Sequence, residues 1–170
     1  MRQERYKVTR LDIDEFFTPL NIIESVRETL GRIDLDPASS FSANEFVKAD
    51  RFFTKYDNAL SRSWGNNSRI FLNPPKKRDL IDSFVHKLIY EIGKDNVSEA
   101  IVFVDNDTDS SWFQSLSAIS SCVVFSKYRF NLINSAKNSI VARNGKVIFY
   151  YGKFIKEFIK NFSKYGVVFY

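Results

Sequence analysis

Cysteine and histidine are almost absent from this chain of 170 residues, which contains one of each, Cys122 and His86. An internal disulfide needs two cysteines, and zinc sites in proteins are built mainly from clusters of cysteine and histidine. We therefore expect neither a disulfide framework nor a metal site. Cys122 belongs to the apolar run 122–125, where a thiol behaves as a small core side chain.

Long apolar runs and glycine-rich motifs are also missing. No segment approaches the roughly 20 apolar residues that a membrane-spanning helix needs. Residues 1–5 are mostly polar or charged and do not begin a signal peptide. The G-x-G-x-x-G motif of dinucleotide-binding folds is absent as well. We expect a cytoplasmic protein that has no membrane partner.

The composition is that of a folded, moderately basic protein. Hydrophobic residues make up 44% of the chain, and a chain of this length is expected to form one domain over residues 1–170. Lysine and arginine number 25, against 20 for aspartate and glutamate. The positive net charge favours a polyanion such as nucleic acid as partner, although a basic soluble protein without such a partner has the same composition.

Apolar strands alternate with amphipathic helices, which predicts an α/β fold with helices on both faces of a sheet. Thr18 and Pro19 are expected to be the N-cap and the first residue of the first helix, and Gly31 its end. Residues 40–68 show no clean periodicity. The predicted strands cover residues 33–35, 70–72, 100–104, 122–125, 146–151 and 167–170, and the predicted helices cover residues 19–30, 80–92, 112–119 and 154–162.

Two proline-containing segments directly follow predicted strands. Asp36 and Pro37 follow the first strand, and Asn73, Pro74 and Pro75 follow the second. In sheets of this class, ligands bind outside the carboxyl ends of the strands. We therefore expect both segments to face one site.

The Asn73-Pro74-Pro75 segment suits the chemistry of an exocyclic amine. The nitrogen of such an amine is a poor nucleophile because its lone pair is delocalised into the ring. The amide oxygen of Asn73 and the carbonyl oxygen of Pro74 could each accept one N–H, and so offset the positive charge that grows on nitrogen during attack. The prolines would hold both acceptors in place. A simple strand-ending turn is the alternative.

Three other features could bind a nucleoside cofactor. The carboxylate of Asp36 could receive its ribose or its amino acid end, and Asp57 could accept from its adenine amino group. The helix that starts at Thr18 and Pro19 could present its N-terminus to a carboxylate. A turn, a loop and a simple helix cap explain the same residues.

A basic run follows the Asn-Pro-Pro segment and consists of Lys76, Lys77 and Arg78. These side chains could hold the phosphates of a nucleic acid beside the site. A solvated start of the next helix explains the run equally well.

Taken together, these segments resemble the phage-type DNA N6-adenine methyltransferases of the Dam family. The resemblance spans roughly residues 16–152, and the order and spacing of the motifs both match. The matching segments are Phe17-Thr18-Pro19, Leu35-Asp36-Pro37-Ala38-Ser39, Ala43-Asn44, Phe52-Phe53-Thr54, Asp57-Asn58-Ala59-Leu60, Trp64, Ile70-Phe71-Leu72-Asn73-Pro74-Pro75, Asp107-Thr108-Asp109, Trp112-Phe113 and Tyr128-Arg129-Phe130.

The resemblance implies a compact, Rossmann-like class I methyltransferase fold with a mostly parallel sheet. It implies transfer of a methyl group from S-adenosylmethionine to an adenine flipped out of double-stranded DNA, in the host cytoplasm if the chain is phage-encoded. Asn73, Pro74 and Pro75 would be catalytic. The implied cofactor-binding residues are Phe17, Thr18, Pro19, Asp36, Pro37 and Asp57, and the implied nucleic-acid contacts are Lys76, Lys77, Arg78 and Arg129.

The chain departs from the family pattern at Lys76, where the family has tyrosine or phenylalanine stacked on the flipped base. Stacking is worth roughly 1–3 kcal/mol per base. Another aromatic residue, such as Tyr128 or Phe130, could cover the base instead. Two alternatives therefore stay open: a catalytically silent relative that binds DNA, cofactor or a protein partner, and methylation of another amino group, such as cytosine N4 or that of an RNA base. The sequence does not define the oligomeric state.

Overall fold

The computed structural model describes residues 16–134 and 138–170, and this part of the chain forms a large β-sheet covered by helices on both faces. Residues 1–5, where the sequence predicts no signal peptide, lie outside the described residues. The strands are β1 (Phe16–Phe17), β2 (Leu35–Asp36), β3 (Arg51–Phe52), β4 (Ser68–Leu72), β5 (Val97–Asp105), β6 (Cys122–Ser126), β7 (Asn131–Asn134), β8 (Ser139–Val141), β9 (Lys146–Tyr151) and β10 (Gly166–Phe169). The helices are α1 (Leu20–Leu30), α2 (Phe41–Val47), α3 (Arg78–Gly93), α4 (Ser111–Ile119) and α5 (Ile155–Phe162), followed by a 3₁₀ turn at Ser163–Tyr165.

The large sheet is mixed, in the order β10-β6-β9-β5-β4-β2-β3. The pairings of β3 with β2, β2 with β4 and β4 with β5 are parallel. Those of β5 with β9, β9 with β6 and β6 with β10 are antiparallel. The expectation of a mostly parallel sheet therefore holds for one half only. Apolar strands of both orientations have similar sequences when they are buried on both faces, so the reversal of β9 has no local signal.

The core lies on both faces of the large sheet, as the alternation of elements predicts. On β5, Ile101 and Phe103 face α1 and α5, while Ala100, Val102 and Val104 face α3 and α4. This double burial explains why β5 is apolar at consecutive positions. Leu88 of α3 and Phe158 of α5 are 0% exposed and belong to this core, whereas Leu80 of α3 and Phe154 before α5 are 38% and 59% exposed.

A small antiparallel sheet of β1, β7 and β8 lies apart from the large one. Phe16 pairs with Asn134 and Phe17 with Ile133. The sequence does not predict this sheet, because its strands have two to four residues and the apolar residues in them alternate only weakly. It holds the segment that leads into α1.

Two local predictions need correction. Thr18 does not cap α1, because no side chain caps this helix and the amides of Ile22 and Ile23 donate to the carbonyl of Pro19, which precedes the first helical residue. Gly31 ends α1 with φ +75°, as predicted. The segment 40–68 contains the unpredicted helix α2, which Ser40 caps by accepting from the amide of Ala43 at 3.1 Å. Val47 is its one buried residue, so a periodic pattern is lacking.

Within the described ranges, no helix combines the length and apolar character that crossing a bilayer requires.

Candidate active site

The two proline-containing segments lie side by side at the carboxyl edge of the sheet, as predicted. β2 ends at Asp36 and β4 ends at Leu72, and the two strands are parallel neighbours with Leu35 opposite Ile70. The loop that starts at Asp36 and the loop that starts at Asn73 therefore leave the sheet together.

A hydrogen bond orients the side chain of Asn73. Its Nδ2 donates to the Oγ1 of Thr18 at 3.0 Å. Thr18 is buried and follows β1, which the small sheet holds in place. Because the amide nitrogen faces Thr18, the amide oxygen points away from it. The residue that the sequence suggested as a helix cap instead positions the candidate catalytic amide.

Two cavities meet at this loop, and both are lined by Asn73, Pro74 and Lys76. We call them the β2 cavity, which has a volume of about 430 Å³ and includes Asp36, and the β5 cavity, which has a volume of about 370 Å³ and includes Asp105. Pro75 lies at the β2 cavity. Of the three predicted catalytic residues, Asn73 and Pro74 thus line both cavities and Pro75 lines one.

The β2 cavity combines aromatic rings with a buried carboxylate. Phe17, Thr18 and Asp36 line it, and so does Phe46 of α2. The rings of Phe17 and Phe46 lie 5.6 Å apart. Asp36 is 3% exposed, and its Oδ1 accepts from the amide of Ala38 at 3.1 Å.

The other predicted cofactor residues lie outside the wall of the β2 cavity. Pro19 and Pro37 are buried in the segments that carry Thr18 and Asp36. The Oδ2 of Asp57 accepts from the backbone amide and the hydroxyl of Thr54 at 2.8 and 2.7 Å. These hydrogen bonds lower the pKa of Asp57. Asp57 lines neither cavity, and its carboxylate closes a turn.

In the β5 cavity, one carboxylate lies between two lysines. The Nζ of Lys76 is 3.5 Å from Oδ2 of Asp105, and the Nζ of Lys146 contacts Oδ1. Burial opposes ionisation of Asp105, but the hydrogen bond and charge of Lys146 outweigh it, so the pKa of Asp105 is lowered. We call these three residues the lysine–aspartate cluster.

The remaining basic candidates are dispersed. Arg78 lines the β5 cavity, and Lys77 is exposed beside it at the start of α3. Arg129 is exposed and donates to the carbonyl of Ala142 at 3.4 Å. It lines neither cavity, whereas Arg143 lines the β2 cavity.

Neither ring suggested as a replacement for the missing aromatic residue reaches the site. Phe130 is 3% exposed and packs on Phe103, with their ring centres 5.6 Å apart. Tyr128 lines neither cavity. The aromatic residues of the β5 cavity are Phe103 and Trp112.

Sequence reasoning missed Phe46, Asp105 and Lys146. Asp105 ends a strand just as Asp36 does, so the rule of carboxyl strand ends could have found it. Phe46 depends on the unpredicted helix α2. Lys146 begins the reversed strand β9, and no local signal distinguishes it. In the described ranges, no three histidine, cysteine or acidic side chains are grouped as metal ligands.

The fold and site define an α/β protein with a two-cavity site at the carboxyl ends of parallel strands. Residues 6–166 match the family "DNA N-6-adenine-methyltransferase (Dam)", and the chain belongs to this family, which confirms the resemblance seen in its motifs. The chain is also 29% identical over 140 residues to the "DNA N-6-adenine-methyltransferase" of Escherichia phage T1. That match covers 82% of this chain and 55% of the relative, so the chain spans about half of the relative's length.

Proposed function

We propose that this protein transfers a methyl group from S-adenosylmethionine to the N6 amine of an adenine in double-stranded DNA. Family membership supports this function, and the main structural support is the position of Asn73. Its side-chain amide lies where two cavities meet and is oriented by a hydrogen bond of 3.0 Å from its Nδ2 to the Oγ1 of Thr18. A transferase for two substrates needs such a junction.

The acceptors at the junction would act on the target amine. The oxygen of the Asn73 amide, turned away from Thr18, and the carbonyl of Pro74 each accept one N–H from N6. They hold the nitrogen in position and offset the positive charge that develops on it. Pro74 and Pro75 fix the backbone, so the acceptors need no rearrangement during the reaction.

The volume of the β2 cavity lies within the range of small-molecule binding sites, and its side chains suit the chemistry of the methyl donor. Phe17 and Phe46 offer aromatic surface to an adenine ring, and the Asp36 carboxylate can bind a ribose hydroxyl or an ammonium group. Pro19 and Pro37 would fix the backbone of the segments that carry Thr18 and Asp36. Asp57 would contribute to cofactor binding indirectly, by holding the turn that it closes with Thr54. S-adenosylmethionine supplies an activated methyl group when bound. The Rossmann-like class of the fold is part of this proposal, supported by the binding site at the carboxyl ends of β2, β4 and β5.

The β5 cavity would receive the flipped adenine from the opposite side of the loop. Lys76 and Arg78 line this cavity, and Lys77 is exposed between them in the chain. These three side chains would bind the DNA backbone by displacing counterions from the phosphates. Arg129 would contact the backbone farther from the base. The net charge of +5 favours the same partner.

The test is methylation of unmethylated double-stranded DNA with isotope-labelled S-adenosylmethionine, followed by mass spectrometry of the digested nucleosides. We expect labelled N6-methyldeoxyadenosine from the unmodified chain and a loss of at least about 100-fold in Asn73→Ala. The matched control is Asn66→Ala, because Asn66 is exposed in the loop before β4, at the opposite end of that strand. Label in N4-methyldeoxycytidine would instead identify a different target amine.

A second candidate function, DNA or cofactor binding without methylation, is favoured by Lys76. The family places a stacking ring at this position, whereas Lys76 contacts Asp105. If S-adenosylmethionine binds in calorimetry and DNA binds in an anisotropy titration, but no nucleoside gains label, this second function replaces the first.

A further inference from the structure

The lysine–aspartate cluster joins three separate elements at the wall of the β5 cavity. Lys76 belongs to the loop after β4, Asp105 ends β5 and Lys146 begins β9. Asp105 and Lys146 face each other in the register of the antiparallel pair, so the sheet itself fixes this contact. Lys76 is added from the loop that carries Asn73 and Pro74.

One member of the cluster, Lys146, is unusual because its charged side chain is buried. The Lys146 side chain is 3% exposed and that of Asp105 is 20% exposed, whereas that of Lys76 is 64% exposed. Removing charges from water is unfavourable, and well-packed apolar residues often stabilise a fold as well as a buried ion pair does. Charged groups kept in a cleft beside reacting groups therefore indicate a functional role more than a stabilising one.

Charge at this place affects the bound methyl donor directly. Lys76 lines both cavities, and the donor is a sulfonium, which carries a positive charge next to the acceptors Asn73 and Pro74. An unbalanced ammonium there repels the donor and the amine that gains charge during attack. Asp105 offsets one of the two ammonium charges and holds Lys76 against the cavity wall.

We propose that Asp105 is a positioning residue that offsets the positive charge of Lys76 at the junction of the two cavities, so that a sulfonium donor is accepted beside a lysine. This inference rests on the proposed function. It explains how the chain tolerates a lysine where its family has an aromatic ring.

The decisive comparison uses the charged donor and its neutral product. S-adenosylmethionine and S-adenosylhomocysteine differ by one methyl group and by the positive charge on sulfur. In Asp105→Asn, we expect the affinity for S-adenosylmethionine to fall about three- to tenfold relative to that for S-adenosylhomocysteine, the effect of one partly screened charge. Isothermal titration calorimetry with each ligand gives this ratio without any turnover.

Two further variants separate charge from architecture. Adding Lys76→Met to Asp105→Asn removes one ammonium, and the affinity ratio should return to within about twofold of the unmodified value. Asp95→Asn is the matched control, because Asp95 is exposed and precedes the same strand at its opposite end, and the strand Val97–Asp105 is about 26 Å long at 3.3 Å per residue. Asparagine tolerates the positive φ of Asp95. In Asp95→Asn, the ratio of the two ligand affinities should therefore equal that of the unmodified chain.

If Asp105→Asn alone does not fold, because Lys146 is then buried without its carboxylate, Asp105→Asn combined with Lys146→Met removes that charge too. The double variant keeps the net charge of the unmodified cluster but leaves it on Lys76, which lines both cavities, whereas Lys146 lines the β5 cavity alone. The affinity ratio should therefore still fall. An unchanged ratio in the folded variants would overturn the role of Asp105 and leave the proposed function intact. If the unmodified chain binds neither S-adenosylmethionine nor S-adenosylhomocysteine, the role of Asp105 and the proposed function are both overturned.

Discussion

The side-chain amide of Asn73 donates to the hydroxyl of Thr18 at 3.0 Å, across 55 residues of sequence. The bond joins the loop after β4 to the segment between β1 and α1. Asn73 alone has a freely rotating amide at a strand end. With Thr18 it presents its oxygen in one direction, away from that hydroxyl.

Removing the acceptor at Thr18 should impair methyl transfer more than it impairs folding. In Thr18→Val the shape is kept but the hydrogen bond to Asn73 is lost, and we expect kcat to fall about five- to tenfold, as for the loss of one hydrogen bond. Thr18→Ser keeps the hydroxyl and should stay within about twofold. Steady-state methylation kinetics measure the effect, and equal rates for the two variants would contradict it.

Phe46 should contribute to cofactor binding although it lies in a helix that the sequence did not reveal. Phe46→Ala removes a ring from the wall of the β2 cavity, and the affinity for S-adenosylhomocysteine should fall about tenfold. Phe41→Ala is the control, because Phe41 lies in the same helix and packs on Phe52, with ring centres 5.3 Å apart, outside both cavities. Calorimetric titration of both variants gives the comparison, and equal losses would assign the effect to α2 as a whole.

The basic groups at the β5 cavity should determine how DNA binding depends on salt. In a plot of the logarithm of the binding constant against the logarithm of the salt concentration, each phosphate contact adds about −0.9 to the slope. Arg78→Gln should therefore reduce the magnitude of the slope by about one. Lys160→Gln, an exposed change on α5 beside Glu157, should not alter it. Anisotropy titrations at several salt concentrations measure the slope, and identical slopes for the two variants would exclude Arg78 as a phosphate contact.

An ion pair beneath the site should make stability depend on pH. Asp34 accepts from the backbone amide of Arg69 at 2.8 Å and from its Nε at 3.0 Å. Burial raises the pKa of Asp34, but the hydrogen bonds and charge of Arg69 outweigh it and lower the pKa below its usual value near 3.8. The stabilisation is therefore complete above that value and is lost as pH falls through the lower pKa of the folded state.

Asp34→Asn should thus reduce the free energy of unfolding by about 1–3 kcal/mol at pH 7, and by less near pH 2. Urea unfolding at both pH values tests this difference. Asp50→Asn, at an exposed carboxylate before β3, should have little effect at either pH. A loss for Asp34→Asn that is the same at pH 2 and pH 7 would contradict the ionic origin.

Local patterns revealed the elements whose burial leaves a periodic signal. β4, β5, α3 and α5 could be predicted because consecutive or helically spaced apolar residues face the core. α2 could not, since Val47 is its one buried residue, and the strands of the small sheet are too short to show alternation. The site residues also differ in how far local patterns reveal them. Asp36 and Asn73 could be predicted because they come at strand ends, while Phe46 and Lys146 could not, since they have no distinctive neighbours in sequence.

The sequence by itself determined the family, the alternation of strands and helices, and the Asn-Pro-Pro segment at a strand end. These features depend on residue types at short and fixed spacings. Tertiary structure decided that Thr18 orients Asn73 instead of capping a helix, that Asp57 closes a turn, and that Asp105 lies between Lys76 and Lys146. Each of these roles depends on which distant segment a side chain meets, and that is set by strand register and packing, which residues close in sequence do not encode.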